Sequence, residues 1–420
     1  MEASVNEKLT RVGPGTPMGA LMRRYWQPIA AVAELDDHPT KPVRLLGEDL
    51  VLYKDLSGRY GLIERHCPHR RADLSYGIVE ACGLRCSYHG WRYDHEGRCV
   101  EQPFEEMSNP ESRYKDRIRV NAYPVEAKRG LLWTYLGPLP APLVPNWEPF
   151  TWGNGFVQIV FSEVPCNWLQ CQENSIDPVH FEWLHENWVQ RMRNREGRNA
   201  PKHLKLDFEE IEYGIVYKRV REDTDERNPF WTVGRVCLWP NALFTGNHFE
   251  WRVPIDDTKT LSVGWFFTRV PREREPYVQA KIPSWTAPVV DPATGRNITS
   301  HIMNQDFIGW IGQGEIADRT KEHLGASDRG IVMMRRRLLD DIDRIAKGQE
   351  PKAVIRDAAI NQCVQLPIMD RELFIKGLPR DELERLERER RARSAAYQEG
   401  FLFLAGQPDE VKKAFEDAMR

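Results

Sequence analysis

From Val43 to about Tyr135 the apolar residues of this chain come in short runs separated by turn residues. Val43–Leu46 and Leu50–Tyr53 flank a turn containing Gly47, and Gly58 and Gly61 break the next connection. Tyr88–Tyr93 and Gly130–Tyr135 read as two further strands. Short extended runs at regular spacing, each closed by a turn signal, predict a small all-β domain. Ahead of it, Gly13-Pro14-Gly15-Thr16-Pro17-Met18-Gly19 reads as a leader or turn. Its glycine spacing is wrong for a dinucleotide fingerprint, and no strand precedes it. Ala20–Trp26 reads as a short helix.

The pattern changes at Leu136–Pro145, where Pro138, Pro140, Pro142 and Pro145 predict an extended, semi-rigid connector. It sets the expected division into a first domain at 1–145, with its core at 43–135, and a second at 146–420. In the second, strand-like runs at Phe156–Phe161, Gly214–Val220, Trp231–Leu238 and Thr260–Val270 are mixed with helical stretches at 167–190 and 328–347, an α+β pattern. Residues 381–393 are dense in Glu and Arg at helical spacing and read as a solvated helix face, the alternative being an intersubunit contact.

A chain of 420 residues is long enough for two domains with sizeable cores. The formal net charge of −3 gives no basic footprint, so nucleic acid is not an expected partner. No run approaches the length of a membrane span, and the N-terminus carries no apolar signal segment. Eight cysteines in a chain this long do not make a disulfide scaffold. Cys82, Cys99, Cys166, Cys171, Cys237 and Cys363 lack paired spacing and are expected as buried thiols, which fits a reducing cytoplasm.

Candidate chemistry begins at Cys67-Pro68-His69 and Cys86-Ser87-Tyr88-His89, a C-x-H pair followed by C-x-x-H. Two thiolates and two imidazoles can hold two irons unequally, with Cys67 and Cys86 on one and His69 and His89 on the other. Histidine at one iron raises the potential above that of an all-cysteine centre. Zinc also accepts two cysteines and two histidines, but zinc fingers order them as a cysteine pair followed by a histidine pair.

A second constellation lies at Asp177-Pro178-Val179-His180-Phe181-Glu182-Trp183-Leu184-His185. The two histidines are five apart, so an ideal α-helix would separate them by about 140°. Both face one ion only if the helix is distorted, for instance by a π-bulge, or ends between them. This spacing excludes a zinc protease, whose histidines are four apart. A facial triad on Fe(II) needs one carboxylate besides. Asp306, on the apolar stretch Asn304–Trp310, is the preferred choice; Asp318 and Asp328 compete, and Asp318 reads better as a salt-bridge partner.

The run His66-Cys67-Pro68-His69-Arg70-Arg71-Ala72 through Cys86-Ser87-Tyr88-His89-Gly90-Trp91 resembles the Rieske [2Fe–2S] domain of bacterial aromatic-ring oxygenases. With the second constellation, and with Ala317-Asp318-Arg319-Thr320-Lys321-Glu322-His323-Leu324-Gly325, the chain from Gly13 to about Leu339 resembles the catalytic α subunits of the phthalate dioxygenase-like Rieske oxygenases. The resemblance implies an α+β architecture, an N-terminal all-β Rieske domain followed by a catalytic domain with a helix-framed antiparallel sheet. It implies one [2Fe–2S] cluster at Cys67, His69, Cys86 and His89, one Fe(II) at His180, His185 and Asp306, and O2 as cosubstrate. It implies that Asp177 bridges His180 to His89 of a neighbouring subunit in a head-to-tail ring, expected to be a trimer. Nothing in the chain reads as an NAD or flavin site, so a separate NAD(P)H-dependent reductase, directly or through a ferredoxin, is the expected partner. The group's substrates are mostly aromatic carboxylates, which its members hydroxylate, dihydroxylate or demethylate. His180–Trp188 resembles the matching segment of O-demethylases acting on lignin-derived methoxylated biphenyl acids. Arg191, Arg193 and Arg195 are near enough to be weighed as partners of a substrate carboxylate. The reading from another class is an electron carrier that uses the Rieske domain alone.

Overall fold

A computed structural model describes residues 1–194, 199–393 and 401–420. The chain forms two compact units, Val12–Val144 and Met1–Arg11 together with Pro145–Arg420.

The smaller unit holds three antiparallel sheets. Gln27–Ala31, Leu131–Thr134 and Val125–Lys128 form one, and Thr40–Leu45, Glu48–Lys54, Tyr60–Glu64 and Ala122–Tyr123 a second. The third is a meander of Ile78–Val79, Leu84–Arg85, Arg92–Tyr93 and Cys99–Glu101. The first hairpin turns on Leu46 and Gly47, both at positive φ (50° and 79°), the twist that a two-residue loop between right-twisted strands requires. Only Arg92–Tyr93 of the strand expected over Tyr88–Tyr93 is extended, because Cys86–Gly90 is bent into a loop. Val51, Ile63, Leu74, Leu84, Trp91 and Tyr93 form a core that includes Cys67 and Cys86.

The Gly13–Gly19 run is a helix entry. Thr16 Oγ1 accepts the Gly19 N–H at 3.1 Å, Pro17 occupies the first turn, and the helix spans Pro17–Met22. The helix expected over Ala20–Trp26 is therefore shifted forward, and Gln27 already begins a strand. The first eleven residues, grouped with the small domain by sequence, pack in the larger unit. Their helix Ala3–Thr10 is held there by Asn6, which donates to the Ala317 carbonyl (3.0 Å), and by Asn167, which donates to that of Thr10 (2.9 Å).

The larger unit is built on an eight-stranded sheet in the order His203–Ile211, Gly214–Arg221, Arg235–Leu238, Ala242–Phe244, His248–Pro254, Thr260–Arg269, Gly155–Val164, Ser284–Thr286. Its neighbours are antiparallel except the last pair. The apolar run expected as one strand at Trp231–Leu238 divides into a helical turn, Pro229–Thr232, and a strand, Arg235–Leu238. Gly234 separates them at φ +82°, where a Cβ would lie 2.5 Å from the Tyr217 carbonyl. Four strands of this sheet lie outside the runs expected from the sequence: His203–Ile211, Ala242–Phe244, His248–Pro254 and Ser284–Thr286. His248–Pro254 is buried at every position, although His248, Glu250 and Arg252 alternate with Phe249, Trp251 and Val253 as in a strand with one face in water. Glu250 satisfies both neighbours, His248 at 3.1 Å and Arg252 at 2.5 Å. His203–Ile211 carries charge along an exposed face.

Helices Trp168–Asn174, Ile302–Ile311 and Arg329–Ala346 frame the sheet. The Glu- and Arg-rich segment is a helix, Arg380–Arg393, with an Arg385–Glu389 pair at 2.6 Å along its exposed surface. Cys82 and Cys363 are exposed rather than buried, while the other six cysteines are buried free thiols. No described helix is long and apolar enough to cross a membrane.

Candidate functional site: two metal-binding constellations

The loops carrying the cysteine–histidine pairs are built alike. The Cys67 N–H bonds the Ala72 carbonyl (2.9 Å) and its own carbonyl accepts from Arg71 (2.8 Å). The Cys86 N–H bonds the Trp91 carbonyl (2.8 Å) and its carbonyl accepts from Gly90 (3.0 Å). Each turn closes through a residue at positive φ, Arg71 at 60° and Gly90 at 77°. Glycine meets that demand without strain; Arg71 does not, and is held by Glu64 at 2.8 Å. Both sulfurs are buried and the loops bring the histidines together, with the His69 and His89 rings 4.5 Å apart. Trp91 stacks flat on His69 at 4.4 Å.

The donors suit a cluster. The two sulfurs share a proton: the hydrogen bond between them holds Cys86 below the ordinary thiol range and Cys67 above it, so the pair gives up one proton readily and the second only with difficulty. Thiolate is the ligand form of cysteine. The Tyr93 hydroxyl lies 3.1 Å from Cys67 Sγ. His69 Nδ1 is buried and has no hydrogen-bond partner, the state of an imidazole nitrogen reserved for a metal. Cys67, His69, Cys86 and His89 thus fit a [2Fe–2S] centre, with sulfurs buried and His89 at the surface.

At the second constellation the helix is distorted as the five-residue spacing demands. Trp168–Asn174 ends, Ser175–Val179 forms a break around Pro178, and Phe181–Trp188 is π-helical. A π-turn bonds i to i+5, which stacks residues five apart. His180 and His185 consequently face each other, with ring centroids 5.2 Å apart. Asp306 comes from the middle of Ile302–Ile311, where it is 6% exposed; it is neither an N-cap nor a surface acid.

Ligand-type atoms of His180, His185 and Asp306 all lie within 4.8 Å of one another. Asp306 Oδ1 is 3.1 Å from His185 Nε2 and 3.5 Å from His180 Nε2. Three ligands at right angles, each about 2.1 Å from a first-row metal, would sit about 3 Å apart, so the triad has the right size. His185 Nε2 is buried without a hydrogen-bond partner. The competing acids are engaged elsewhere: Asp318 pairs with Lys321 at 3.0 Å, and Asp328 accepts the Gly325 N–H at 2.6 Å.

Each histidine is held differently. His180 Nδ1 lies 3.5 Å from Asp177 Oδ2, a charge contact too long for a good hydrogen bond. Burial opposes a charged imidazole there, but Asp177 and Asp306 outweigh it and raise His180 above its ordinary range. Burial likewise opposes the Asp177 carboxylate, but His180 and the N–H groups of Val179 and His180 hold it below the usual range. His185 Nδ1 lies 2.8 Å from Gln305 Oε1, and Gln305 Nε2 donates to the Thr299 carbonyl at 2.9 Å. The amide orientation is fixed by that donation, so Gln305 offers an acceptor, His185 carries its proton on Nδ1, and Nε2 keeps its lone pair for a metal.

Sequence reading missed Gln305, and also Asn174, which donates to Asp306 Oδ1 at 3.2 Å. Two polar residues ahead of Asp306 on an apolar helix were the available signal. It also missed Glu173, which accepts from Arg319 and Arg335 (2.7 Å each) and ties the first site helix to the Ala317–Gly325 run. Of the arginines weighed for a substrate carboxylate, Arg191 is exposed, Arg193 is half-buried and engaged, and Arg195 lies outside the described residues.

A β unit bearing two equivalent Cys–His loops, with a separate helix-framed sheet bearing two histidines and a carboxylate on a π-turn, defines the class: a Rieske-type oxygenase. Comparison with known proteins agrees. The Rieske [2Fe-2S] domain family matches residues 25–124, and a "LigXa C-terminal domain like" family matches residues 294–367. The chain is 61% identical over 420 residues to the 5,5'-dehydrodivanillate O-demethylase oxygenase subunit of Sphingobium sp. (strain NBRC 103272 / SYK-6), covering 100% of this chain and 97% of that one. It is 31% identical over 394 residues to the phthalate 4,5-dioxygenase oxygenase subunit of Pseudomonas putida, covering 82% and 87%. Among solved structures, Pseudomonas putida CBB5 NdmB superimposes with a TM-score of 0.57 at 19% identity, covering 78% of this chain and 93% of that one, a likeness of fold. The chain belongs to the Rieske non-heme iron oxygenases as an oxygenase subunit, an oxidoreductase carrying a Rieske [2Fe–2S] domain.

Proposed function

We propose that this chain is the terminal oxygenase of an O-demethylase acting on a methoxylated aromatic acid, of the lignin-derived biphenyl kind. The 61% identity along essentially the whole of an O-demethylase oxygenase subunit supports the substrate class. The convergence of His180, His185 and Asp306 supports an oxygenase over a Rieske electron carrier, which has no use for a second site. Cys67, His69, Cys86 and His89 would hold the cluster, and His180, His185 and Asp306 one Fe(II). Bound there, these groups would supply single electrons and O2 activation; hydroxylation of the methoxy carbon would give a hemiacetal that releases formaldehyde.

The chain's own residues prepare this chemistry. The π-turn brings both imidazoles to one side with Asp306, a three-ligand set that would leave a bound Fe(II) with coordination positions to spare. Gln305 keeps the His185 proton away from the triad, and Asn174 holds one oxygen of Asp306. Asp177 orients His180 and is itself a quarter exposed, with a side chain 27% accessible, so it can meet His89 of a neighbouring copy. That arrangement calls for a head-to-tail ring, which we take to be a trimer. Electrons come from NADH through a separate reductase, directly or through a ferredoxin; a carbazole dioxygenase of the same fold is known in complex with its ferredoxin. The cytoplasm is the compartment that suits the free thiols.

Turnover with a compatible reductase and NADH tests the reading, using methoxylated benzoic and biphenyl acids beside unmethoxylated phthalate-type acids. Formaldehyde stoichiometric with NADH is expected. Diols or phenols without formaldehyde would transfer the chain to ring hydroxylation, as the phthalate dioxygenase relative performs.

A further inference from the structure

The helix that carries Asp306 begins without a cap of its own. The residue before it, His301, makes no side-chain hydrogen bond to the first turn, so the N–H groups there depend on partners elsewhere in the chain. The C-terminal segment supplies one. The Phe403 carbonyl accepts the Met303 N–H at 2.9 Å. One residue on, Asn304 ties the helix down from both ends of its amide. Its Oδ1 accepts the Ala405 N–H at 2.9 Å, and its Nδ2 donates to the Pro288 carbonyl at 2.9 Å, just past the strand Ser284–Thr286. Asn304 is buried, so losing it leaves a main-chain N–H and a carbonyl unsatisfied.

Side chains fix the same segment. Leu404, between the two main-chain contacts, is buried in the apolar cluster that also holds Met303, Phe307 and Trp310 of the ligand helix. Phe403 lies against His248 (4.6 Å between centroids) and Phe266 (5.0 Å), and Phe401 against Phe266 (5.1 Å) and Trp285 (5.7 Å). Farther along, Phe415 packs edge-on against Phe156 (5.5 Å), in a separate cluster with Val270 and Ala418. The tail thus has two parts, one bonded to the ligand helix and one resting on the sheet.

Met303 and Asn304 directly precede Gln305, which holds His185, and Asp306, the carboxylate of the triad. Asp306 is only the fifth residue of its helix, and helix ends fray first. A site of this kind works when its groups are held to within about 0.5 Å. Covering apolar surface would require the tail's side chains alone; the bonds to Met303 and Asn304 do something more specific.

We propose that the C-terminal segment Phe401–Ala405 is a clamp on the mononuclear site, with Asn304 as its joint. It holds the first turn of the helix where Gln305 and Asp306 reach the metal. Asn304 is a positioning residue, acting through those two. This rests on the reading of His180, His185 and Asp306 as the Fe(II) site, and adds the part of the chain that keeps that site assembled.

The test uses the full-length, iron-loaded oxygenase under anaerobic conditions with a ferrous chelator. Release of the third iron per chain is timed and compared with the thermal midpoint of each variant. Asn304→Leu and Leu404→Ala are expected to release that iron roughly 5–50-fold faster, with the cluster absorption unchanged. Phe415→Ala, a truncation of similar size in the other part of the tail, should change the rate less than about twofold at a comparable loss of midpoint. The EPR signal of the nitric oxide adduct at this iron should change shape in the first two variants and not in the third. A release rate that follows the thermal midpoint alike in all three, or that stays at the wild-type value in Asn304→Leu, overturns the clamp and leaves the tail a stabilising role alone. Should Asn304→Leu not fold, Leu404→Ala against Phe415→Ala decides by the same criterion. If a His180→Ala, His185→Ala protein still binds a third iron, the Fe(II) site reading fails and the clamp with it. If that protein lacks the iron while Asn304→Leu and Leu404→Ala hold it as wild type does, the clamp alone fails.

Discussion

Replacing Gln305 by leucine probes the hold on His185 most directly. Gln305 is fully buried and makes two hydrogen bonds, to His185 Nδ1 at 2.8 Å and to the Thr299 carbonyl at 2.9 Å. Leucine has similar bulk and neither polar atom, so one N–H and one carbonyl are left unsatisfied, at roughly 1–3 kcal/mol each. Only the first of these reaches the metal. At about 1.4 kcal/mol per factor of ten, it corresponds to roughly 5–150-fold in Fe(II) affinity, in line with the roughly 10–100-fold that outer partners of metal ligands usually contribute. The assay is anaerobic: a ferrous chelator is added to the purified oxygenase and the loss of the third iron per chain is timed, while the cluster's visible absorption reports on the other two. The third iron should leave Gln305→Leu at least about fivefold faster, with the cluster spectrum unchanged. Gln305→Glu keeps an acceptor for Nδ1–H and should hold iron within a few-fold of wild type. If the leucine variant keeps its iron as well as wild type, or the glutamate variant loses it as fast as leucine, the tautomer argument is wrong.

Asp177→Asn keeps shape and loses charge beside His180; both metals should stay bound while turnover falls roughly 10–100-fold, and unchanged turnover would remove Asp177 from the electron path. A His180→Ala, His185→Ala double variant should retain two irons per chain and lose the third by elemental analysis; retention of three would relocate the mononuclear site. Asp73 supports the first cluster loop: Arg65, at 2.5 Å, and Ser75 hold its carboxyl down to about 2. Its folded value lies below the unfolded value of about 3.9, so its contribution is full above about pH 4 and disappears as pH falls towards 2. Asp73→Asn should therefore cost about 2 kcal/mol in denaturant unfolding at pH 7 and clearly less at pH 3; an equal cost at both would refute the assignment.

Several features were legible in the sequence because they are local. The Cys67–His69 and Cys86–His89 loops are closed by bonds spanning five residues or fewer, so spacing and Gly90 carry their shape. The five-residue gap between His180 and His185 likewise required a distorted helix, and the π-turn at Phe181–Trp188 is that distortion. The hairpin at Gly47 and the long strands at Gly155–Val164 and Thr260–Arg269 followed from apolar runs and turn residues. What the sequence could not show is set by contacts between distant residues. That Asp306 rather than Asp318 or Asp328 meets the histidines depends on how the Ile302–Ile311 helix packs more than a hundred positions away. Gln305 and Asn304 look like ordinary polar residues until the fold buries one against His185 and joins the other to Pro288 and Ala405. The strand His248–Pro254 alternates His248, Glu250 and Arg252 with Phe249, Trp251 and Val253, the pattern of a strand with one face in water; only the fold shows that both faces are buried, with Glu250 paired to His248 and Arg252 inside the core. Local spacing fixes which atoms can become ligands; long-range packing decides which of them meet and what holds them in place.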